Sequence, residues 1–152
     1  MGSIEIRPAG DDDGGSVADV YLASFHAAYD FPLAHSDEEV RDWVRSRLLS
    51  TREVSVAVAP GGKVVGFVAL GPDMLDQLYL APGWTGRGIG SRLVALAKAS
   101  RPGGLDLYTF QVNTGARRFY ERHGFVEVAR GDGSGNEEGQ PDVRYAWRPG
   151  AG

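Results

Sequence analysis

The sequence predicts a mixed α/β fold in which helices cover both faces of one sheet. Two observations support this class. β-rich runs and segments of helical periodicity are interleaved, and their order is β, two helices, three strands, helix, strand, helix and two strands, which is not a regular βαβ alternation. A length of 152 residues suits one compact domain, 1–152, and no linker or internal repeat divides it.

The first part of the chain supplies one strand, two helices and a hairpin. SIEIR alternates apolar and polar residues, as a short strand does, and apolar residues recur at helical spacing from Val17 to Tyr29. Ser36 and Glu39 form a capping box at the start of a second helix. We expect that helix to direct five residues towards the core: Val40, Trp43, Val44, Arg47 and Leu48. EVSVAVA and KVVGFVAL are strands that PGG joins as a hairpin.

The second part of the chain alternates between strands and helices. A run from Met74 to Leu80 is a strand, and after a glycine-rich loop a helix extends to Ser100, before a proline. LDLYTFQV is the next strand, and NTGARRFYERHGF is a short helix that Asn113 caps and Gly124 ends. VEVAR and DVRYAWR form a final strand pair, and a polar, glycine-rich loop, Gly131 to Pro141, connects them.

The composition excludes several classes of function. The chain contains no cysteine, which rules out disulfides, a cysteine nucleophile and thiolate metal sites. A formal net charge of −4 argues against a general nucleic-acid binder, and no apolar run is long enough for a membrane span. The N-terminus lacks the basic and apolar regions of a signal peptide, so we expect a cytoplasmic protein with neither nucleic acid nor membrane as a partner.

The loop after Leu80 is the most informative segment. Its four glycines, Gly83, Gly86, Gly88 and Gly90, let the backbone approach a bound group closely, and the following helix offers N–H groups and the positive end of a dipole. This arrangement predicts a pyrophosphate site. Neither the P-loop nor the dinucleotide-binding fingerprint matches the spacing of these glycines.

Two motifs resemble signatures of the GNAT superfamily of N-acetyltransferases. TGRGIG, from Thr85 to Gly90, is similar to the signature [QR]-x-x-G-x-[GA], although Thr85 replaces the usual Gln or Arg. The pattern N-x-x-A-x-x-F-Y-x-x-x-G-F is matched in full by Asn113, Ala116, Phe119, Tyr120, Gly124 and Phe125. The resemblance covers nearly the whole chain in element order. It implies a mixed sheet of six or seven strands and direct transfer of an acetyl group from acetyl-CoA to a primary amine, without a metal.

The resemblance also implies roles for individual residues. Tyr120 would be the acid that protonates the departing thiolate, although a core tyrosine on an amphipathic helix is the alternative interpretation. The expected coenzyme contacts fall into three groups. The pyrophosphate site comprises Thr85, Gly86, Arg87, Gly88, Ile89, Gly90 and Ser91. The pantetheine arm would follow Leu78, Tyr79 and Leu80, whose strand would also supply the N–H group for the oxyanion. Asn113 and Phe119 would contact the coenzyme from the second motif.

The proton acceptor has two candidates in the sequence. An alkyl amine with a pKa of about 10.4 costs roughly 4.6 kcal/mol to deprotonate at pH 7, so a base is needed. Some relatives have a glutamate near the position of Met74. Asp76 faces the same side of its strand and is our candidate base, with a solvated strand residue as the alternative. The resemblance places His35 in the segment where the family shapes its acceptor pocket, so it could also accept a proton, but a loop histidine beside a helix cap is the simpler interpretation.

The acceptor itself is predicted only by class. The acidic loop containing Glu137, Glu138 and Asp142 could attract an ammonium group or could be a soluble connection. We expect a small-molecule primary amine. The alternatives are a peptide or protein amine, and a non-catalytic acetyl-CoA-sensing module. Dimers are common in the family, which leaves a homodimer open.

Overall fold

The computed structural model describes residues 3–150, and the elements found there follow the predicted order. The strands are β1 Glu5–Pro8, β2 Glu53–Val58, β3 Val64–Leu70, β4 Leu75–Leu80, β5 Leu105–Phe110, β6 Val126–Gly131 and β7 Asp142–Trp147. The helices are α1 Gly14–Ala28, α2 Asp37–Trp43, α3 Leu49–Thr51, α4 Ile89–Ser100 and α5 Thr114–Arg122. A 3₁₀ turn, Asp11–Asp13, precedes α1, and a π-helical segment, Val44–Leu48, joins α2 to α3.

The strands form two antiparallel sheets, which corrects the expectation of a single sheet. One sheet has the order β1-β2-β3-β4 and the other has the order β5-β7-β6. The parallel neighbours β4 and β5 approach each other at a bridge between Met74 and Asp106, where the Asp106 N–H donates to the Asp73 carbonyl at 3.0 Å. From this bridge the two strands diverge. The predicted mixed α/β fold is confirmed, but a cleft divides its strands.

Helices cover both faces of the first sheet, as predicted. Residues of α1 and α2 pack on one face around Val17, Val44 and Phe67, whereas α4 and α5 pack on the other face around Leu93 and Tyr120. The cluster on the α4 side continues into the second sheet through Leu105, Leu107 and Tyr145. The core therefore runs beneath the cleft and supports both of its sides.

The second helix buries a narrower stripe than the sequence predicts. Val40, Val44 and Leu48 are buried at intervals of four residues. Trp43 and Arg47 each precede a buried residue by one position, which rotates them by about 100° away from the stripe. Both are exposed, so the prediction that they face the core was wrong.

A charged anchor lies at the base of the cleft. Asp106 is buried on β5, and it pairs with Arg144 of β7 and with Arg148, whose Nη2 lies 2.8 Å from Oδ1. Burial opposes ionisation of Asp106, but the two guanidinium groups outweigh it and hold the pKa of this carboxyl below its usual value. The anchor ties β5 to β7 at the point where β5 meets the first sheet.

Candidate active site

The cleft between β4 and β5 contains a cavity of about 720 Å³. Its lining comes from β4, β5, the glycine loop, the first turn of α4, one face of α5, and the end of α1. A second cavity of about 300 Å³ adjoins it. The two cavities share a wall that includes Tyr29, Asp76 and Tyr79.

The edge of β4 turns polar backbone groups towards the larger cavity. The Ala81 N–H donates to the Val65 carbonyl at 2.8 Å, which places alternate residues such as Tyr79 in hydrogen-bonded pairs with β3. Leu78 and Leu80, in the intervening positions, direct their N–H and C=O groups away from β3. The Leu80 carbonyl accepts a hydrogen bond from the Ser24 hydroxyl of α1. The strand edge can therefore pair with an extended ligand.

The glycine loop adopts a backbone that other residues rarely adopt. Gly83, Gly86 and Gly88 have φ values of 88°, 74° and 81°, and a Cβ atom at any of them would meet no atom within 4 Å. The reason for glycine at these positions is thus conformation rather than space. Gly88 is the N-cap of α4, and with no side chain it leaves the first N–H groups of the helix facing the loop. These groups form a site suited to phosphate oxygens.

The two sequence motifs contact each other at Gly90. A Cβ atom there would lie 3.0 Å from Cζ of Phe119, so the absence of a side chain lets α5 approach the start of α4. Phe119 therefore packs against the glycine loop. Of the remaining loop residues, Thr85 and Arg87 are exposed, with Arg87 over the Trp84 ring at 4.8 Å, and Ile89 is buried in the core.

Tyr120 lies in the wall of the larger cavity, beside the rings of Phe119 and Phe125. It is buried, and burial raises the pKa of its hydroxyl above the usual value. The phenol consequently keeps its proton at neutral pH and can donate it. Asn113 caps α5 as predicted, because its Oδ1 accepts from the Ala116 N–H at 3.0 Å.

Asp76 projects from β4 into the wall between the cavities. Its Oδ2 accepts from Nε of Arg52 at 3.2 Å. The hydrogen bonds of the described residues leave Oδ1 available to a ligand. Ser91, by contrast, lies at the other end of the cleft, where its hydroxyl is 3.0 Å from Nε2 of His123. Most of the predicted residues thus line one continuous cleft, with the glycine loop at one end and titratable groups at the other. Ile89, in the core, and Arg87 are not among the residues that line the cavity.

Comparison with known proteins decides the family. A family model described as an acetyltransferase (GNAT) domain matches residues 50–127, half of the chain. The chain belongs to the GNAT acetyltransferase family. As a GNAT protein it is an acyltransferase, and GNAT enzymes use acetyl-CoA.

Named relatives support this assignment. The peptidyl-lysine N-acetyltransferases YjaB of Salmonella typhimurium and Escherichia coli are each 31% identical over 129 residues, which cover 85% of this chain and 88% and 86% of those proteins. The solution structure of apo YjaB from E. coli has a TM-score of 0.79 at 29% identity, covering 96% of this chain and 98% of YjaB.

A more distant structure agrees in fold. The PaiA N-acetyltransferase from Thermoplasma acidophilum, solved in complex with coenzyme A, has a TM-score of 0.74 at 23% identity, covering 97% of this chain and 99% of PaiA.

Among residues 3–150 of the GNAT chain, no helix has the length and apolar character needed to cross a membrane.

The acidic loop of this GNAT enzyme packs against the connection between α1 and α2. Nε2 of His35 lies 2.5 Å from Oε2 of Glu137, and Oε2 of Glu138 accepts from the Ala34 N–H at 3.1 Å. Glycine also has a packing role within the loop, because a Cβ atom on Gly133 would lie 2.5 Å from the Gly139 carbonyl oxygen. Glu138 and Asp142 line the smaller cavity. The sequence could not position this loop, since its contacts reach across about a hundred residues.

We expect the His35–Glu137 contact to depend on pH. The hydrogen bond to Glu137 raises the pKa of His35 above 6.5, and the charge of Glu39 acts in the same direction. The contact therefore stabilises the folded state below the ordinary histidine pKa, and its contribution is lost as pH rises through the raised pKa. An NMR titration should give a His35 midpoint above 6.5 that returns towards this value in Glu137→Gln. Glu39→Gln is the control and should have a smaller effect; equal midpoints in all three proteins would contradict the contact.

Proposed function

We propose that this protein transfers the acetyl group of acetyl-CoA to the side-chain amine of lysine in a peptide or protein. The observation that carries the proposal is the smaller cavity, which adjoins the cleft and combines aromatic walls with carboxylates. The named YjaB relatives favour the same acceptor class over the small-molecule amine that we expected from the sequence. They also favour an enzyme over a non-catalytic sensing module.

The larger cavity fits the coenzyme. A pyrophosphate requires N–H groups and a backbone without side chains, which the loop from Thr85 to Gly90 provides at the start of α4. A pantetheine arm requires an unpaired strand edge, which Leu78 and Leu80 provide. When bound, acetyl-CoA supplies an activated acetyl thioester. Its thioester end would then lie near Tyr120 and the shared wall.

The smaller cavity fits a lysine side chain. Six aromatic side chains line it: Tyr21, Phe25, Tyr29, Tyr79, Tyr108 and Phe110. Such walls accommodate the apolar stem of lysine, and their ring faces attract an ammonium group. Asp76, Glu138 and Asp142 add negative charge. A cationic alkyl amine is therefore the ligand whose shape and charge match this cavity.

Asp76 in the shared wall and Tyr120 in the larger cavity can perform the required proton transfers. The lysine amine would lose a proton to Asp76, directly or through water, and its nitrogen would form a bond to the acetyl carbon as the carbon–sulfur bond breaks. The N–H of Leu78 or Leu80 would stabilise the charge on the carbonyl oxygen. Tyr120 would give its proton to the departing thiolate and would regain one, through water, as the acetylated nitrogen loses its second proton. Asp76 and Tyr120 keep the roles that the sequence suggested, as part of this proposal.

The acceptor is tested with a panel of amines. We expect acetyl-CoA-dependent thiol release with lysine peptides whose α-amine is blocked, and none with the same peptides carrying Nε-acetyl-lysine or arginine. Mass spectrometry should locate the added acetyl group on lysine. Polyamines and aminoglycosides represent the small-molecule alternative, and faster turnover with one of them than with every peptide would contradict the proposal.

Two matched variants test the cavity. Glu138→Gln removes a charge that lines it, so KM for a lysine peptide should rise about three- to tenfold, which corresponds to roughly 0.7–1.4 kcal/mol. Glu137→Gln removes an equal charge one residue away, on a side chain that pairs with His35, and should change KM less.

A further inference from the structure

Tyr29 occupies a fixed position between the two cavities. It follows α1, where its N–H donates to the Phe25 carbonyl at 3.0 Å and its extended backbone turns the chain away from the helix. Its ring packs against those of Phe25, Phe31 and Phe110 at centroid distances of 4.8, 4.9 and 5.1 Å. Three aromatic neighbours leave the phenol little freedom, so its hydroxyl is held at the shared wall.

The direction of one hydrogen bond determines where the Tyr29 proton can go. Asn113 uses its Oδ1 to accept from the Ala116 N–H, which fixes the orientation of its amide. Nδ2 of Asn113 must therefore be the group that lies 2.9 Å from the Tyr29 hydroxyl, and it donates to the phenol oxygen. Because Tyr29 accepts this hydrogen bond, its own proton is available for a different acceptor.

We propose that the Tyr29 hydroxyl donates a hydrogen bond to the acetyl carbonyl oxygen of acetyl-CoA. This inference rests on the proposed binding of the coenzyme in the larger cavity. A thioester from one cavity and an amine from the other must meet at the wall that they share, and Tyr29 is a donor in that wall. The proton stays on Tyr29, and the hydrogen bond strengthens as the carbonyl oxygen gains negative charge.

The surroundings keep this phenol neutral. Burial raises the pKa of Tyr29, and the hydrogen bonds from Asn113 and Thr109 oppose that shift only in part. A charge on Tyr29 would also disfavour a charge on Tyr120 across the cavity. Tyr120 can thus protonate the sulfur as it leaves, and Tyr29 can donate a hydrogen bond to the carbonyl oxygen as it gains negative charge.

Infrared spectroscopy tests the inference without an acceptor. Acetyl-CoA labelled with ¹³C at the acetyl carbonyl is bound to the protein, and the carbonyl stretch should move to lower frequency than in solution. In Tyr29→Phe the band should return towards its solution position. Tyr145→Phe is the matched control, since Tyr145 is a core residue that lines neither cavity, and it should leave the band unchanged.

Asn113→Asp provides a second, independent variant. Aspartate caps helices as well as asparagine does, so α5 should keep its stability. Its carboxylate would accept the Tyr29 proton, and the carbonyl band should again return towards the solution position. Both variants should lower kcat with a lysine peptide by about a hundredfold, the effect of losing one oxyanion donor.

The outcomes separate this inference from the proposed acceptor. An unchanged carbonyl band in Tyr29→Phe, or no binding of acetyl-CoA by the wild-type protein, would overturn the role of Tyr29. A band that moves as expected in a protein that acetylates no peptide would support Tyr29 and overturn the lysine acceptor instead.

Discussion

Replacing Tyr120 with phenylalanine is expected to lower kcat about a hundredfold or more, because loss of a positioned acid typically costs 10²–10⁴ in rate. The affinity for acetyl-CoA should change little, since the ring and its contacts with Phe119 and Phe125 remain. Burial keeps the pKa of Tyr120 above its usual value, so the loss should be similar at every pH between about 6 and 9. Steady-state kinetics across this range provide the measurement.

Tyr145 gives the control for this experiment. Its hydroxyl donates to Oε2 of Glu121 at 2.8 Å and accepts from Arg117 at 3.2 Å, deep in the core and outside the cleft. Tyr145→Phe should therefore lower the melting temperature and leave kcat near the wild-type value, whereas Tyr120→Phe should do the reverse. If Tyr120→Phe keeps full kcat, Tyr120 is a packing residue and a different group protonates the thiolate.

Gly88→Ala is expected to weaken acetyl-CoA binding at least tenfold. Alanine at a φ of 81° carries a strain of about 1–2 kcal/mol, and its methyl group would point into open space within the loop proposed to bind the pyrophosphate. A loss of 1.4 kcal/mol in binding corresponds to a factor of ten in Kd. Isothermal titration with acetyl-CoA and with coenzyme A should show the same weakening for both, because in the proposed binding mode the acetyl group would lie far from the loop.

Gly61 is the matched position for Gly88. It has a φ of 96° in the hairpin between β2 and β3, and a Cβ atom there would also meet nothing within 4 Å. Gly61→Ala should therefore cost similar stability while leaving the affinity for acetyl-CoA intact. Equal Kd values for the two variants would contradict the assignment of the loop as the pyrophosphate site.

Local features of the fold could be predicted from the sequence. The capping box of Ser36 and Glu39, the Asn113 cap and the Gly61–Gly62 turn all formed as expected, because each depends on residues within a few positions of each other. The glycine loop between β4 and α4 was located for the same reason. Its resemblance to a family signature then supplied the expected ligand.

Features that depend on distant residues could not be predicted. The strands divide into two sheets because β4 and β5 share one bridge, Met74 to Asp106, and no local pattern encodes that pairing. The expectation that Trp43 and Arg47 lie in the core was wrong, because helical periodicity predicts the width of a buried apolar stripe only approximately.

The candidate active site also depends on contacts between residues that are distant in sequence, and these could not be predicted. Tyr29 belongs to neither motif, and its partner Asn113 lies 84 residues further along the chain. The one available signal was the match of Asn113 to the second motif, which predicted a ligand contact but not the tyrosine beside it. The position of the acidic loop could not be predicted either. Its charge suggested an ammonium site, but its contact with His35 depends on the tertiary fold.

The wall shared by the two cavities has a thermodynamic consequence. Tyr29, Asp76 and Tyr79 face both cavities, so a ligand that contacts these side chains from one side changes the surface that the other ligand meets. Binding of acetyl-CoA and binding of the acceptor are then thermodynamically linked. Acetyl-CoA changes the affinity for the acceptor by some factor, and the acceptor must change the affinity for acetyl-CoA by the same factor. Selectivity for the acceptor is accordingly a property of the occupied enzyme rather than of the empty pocket.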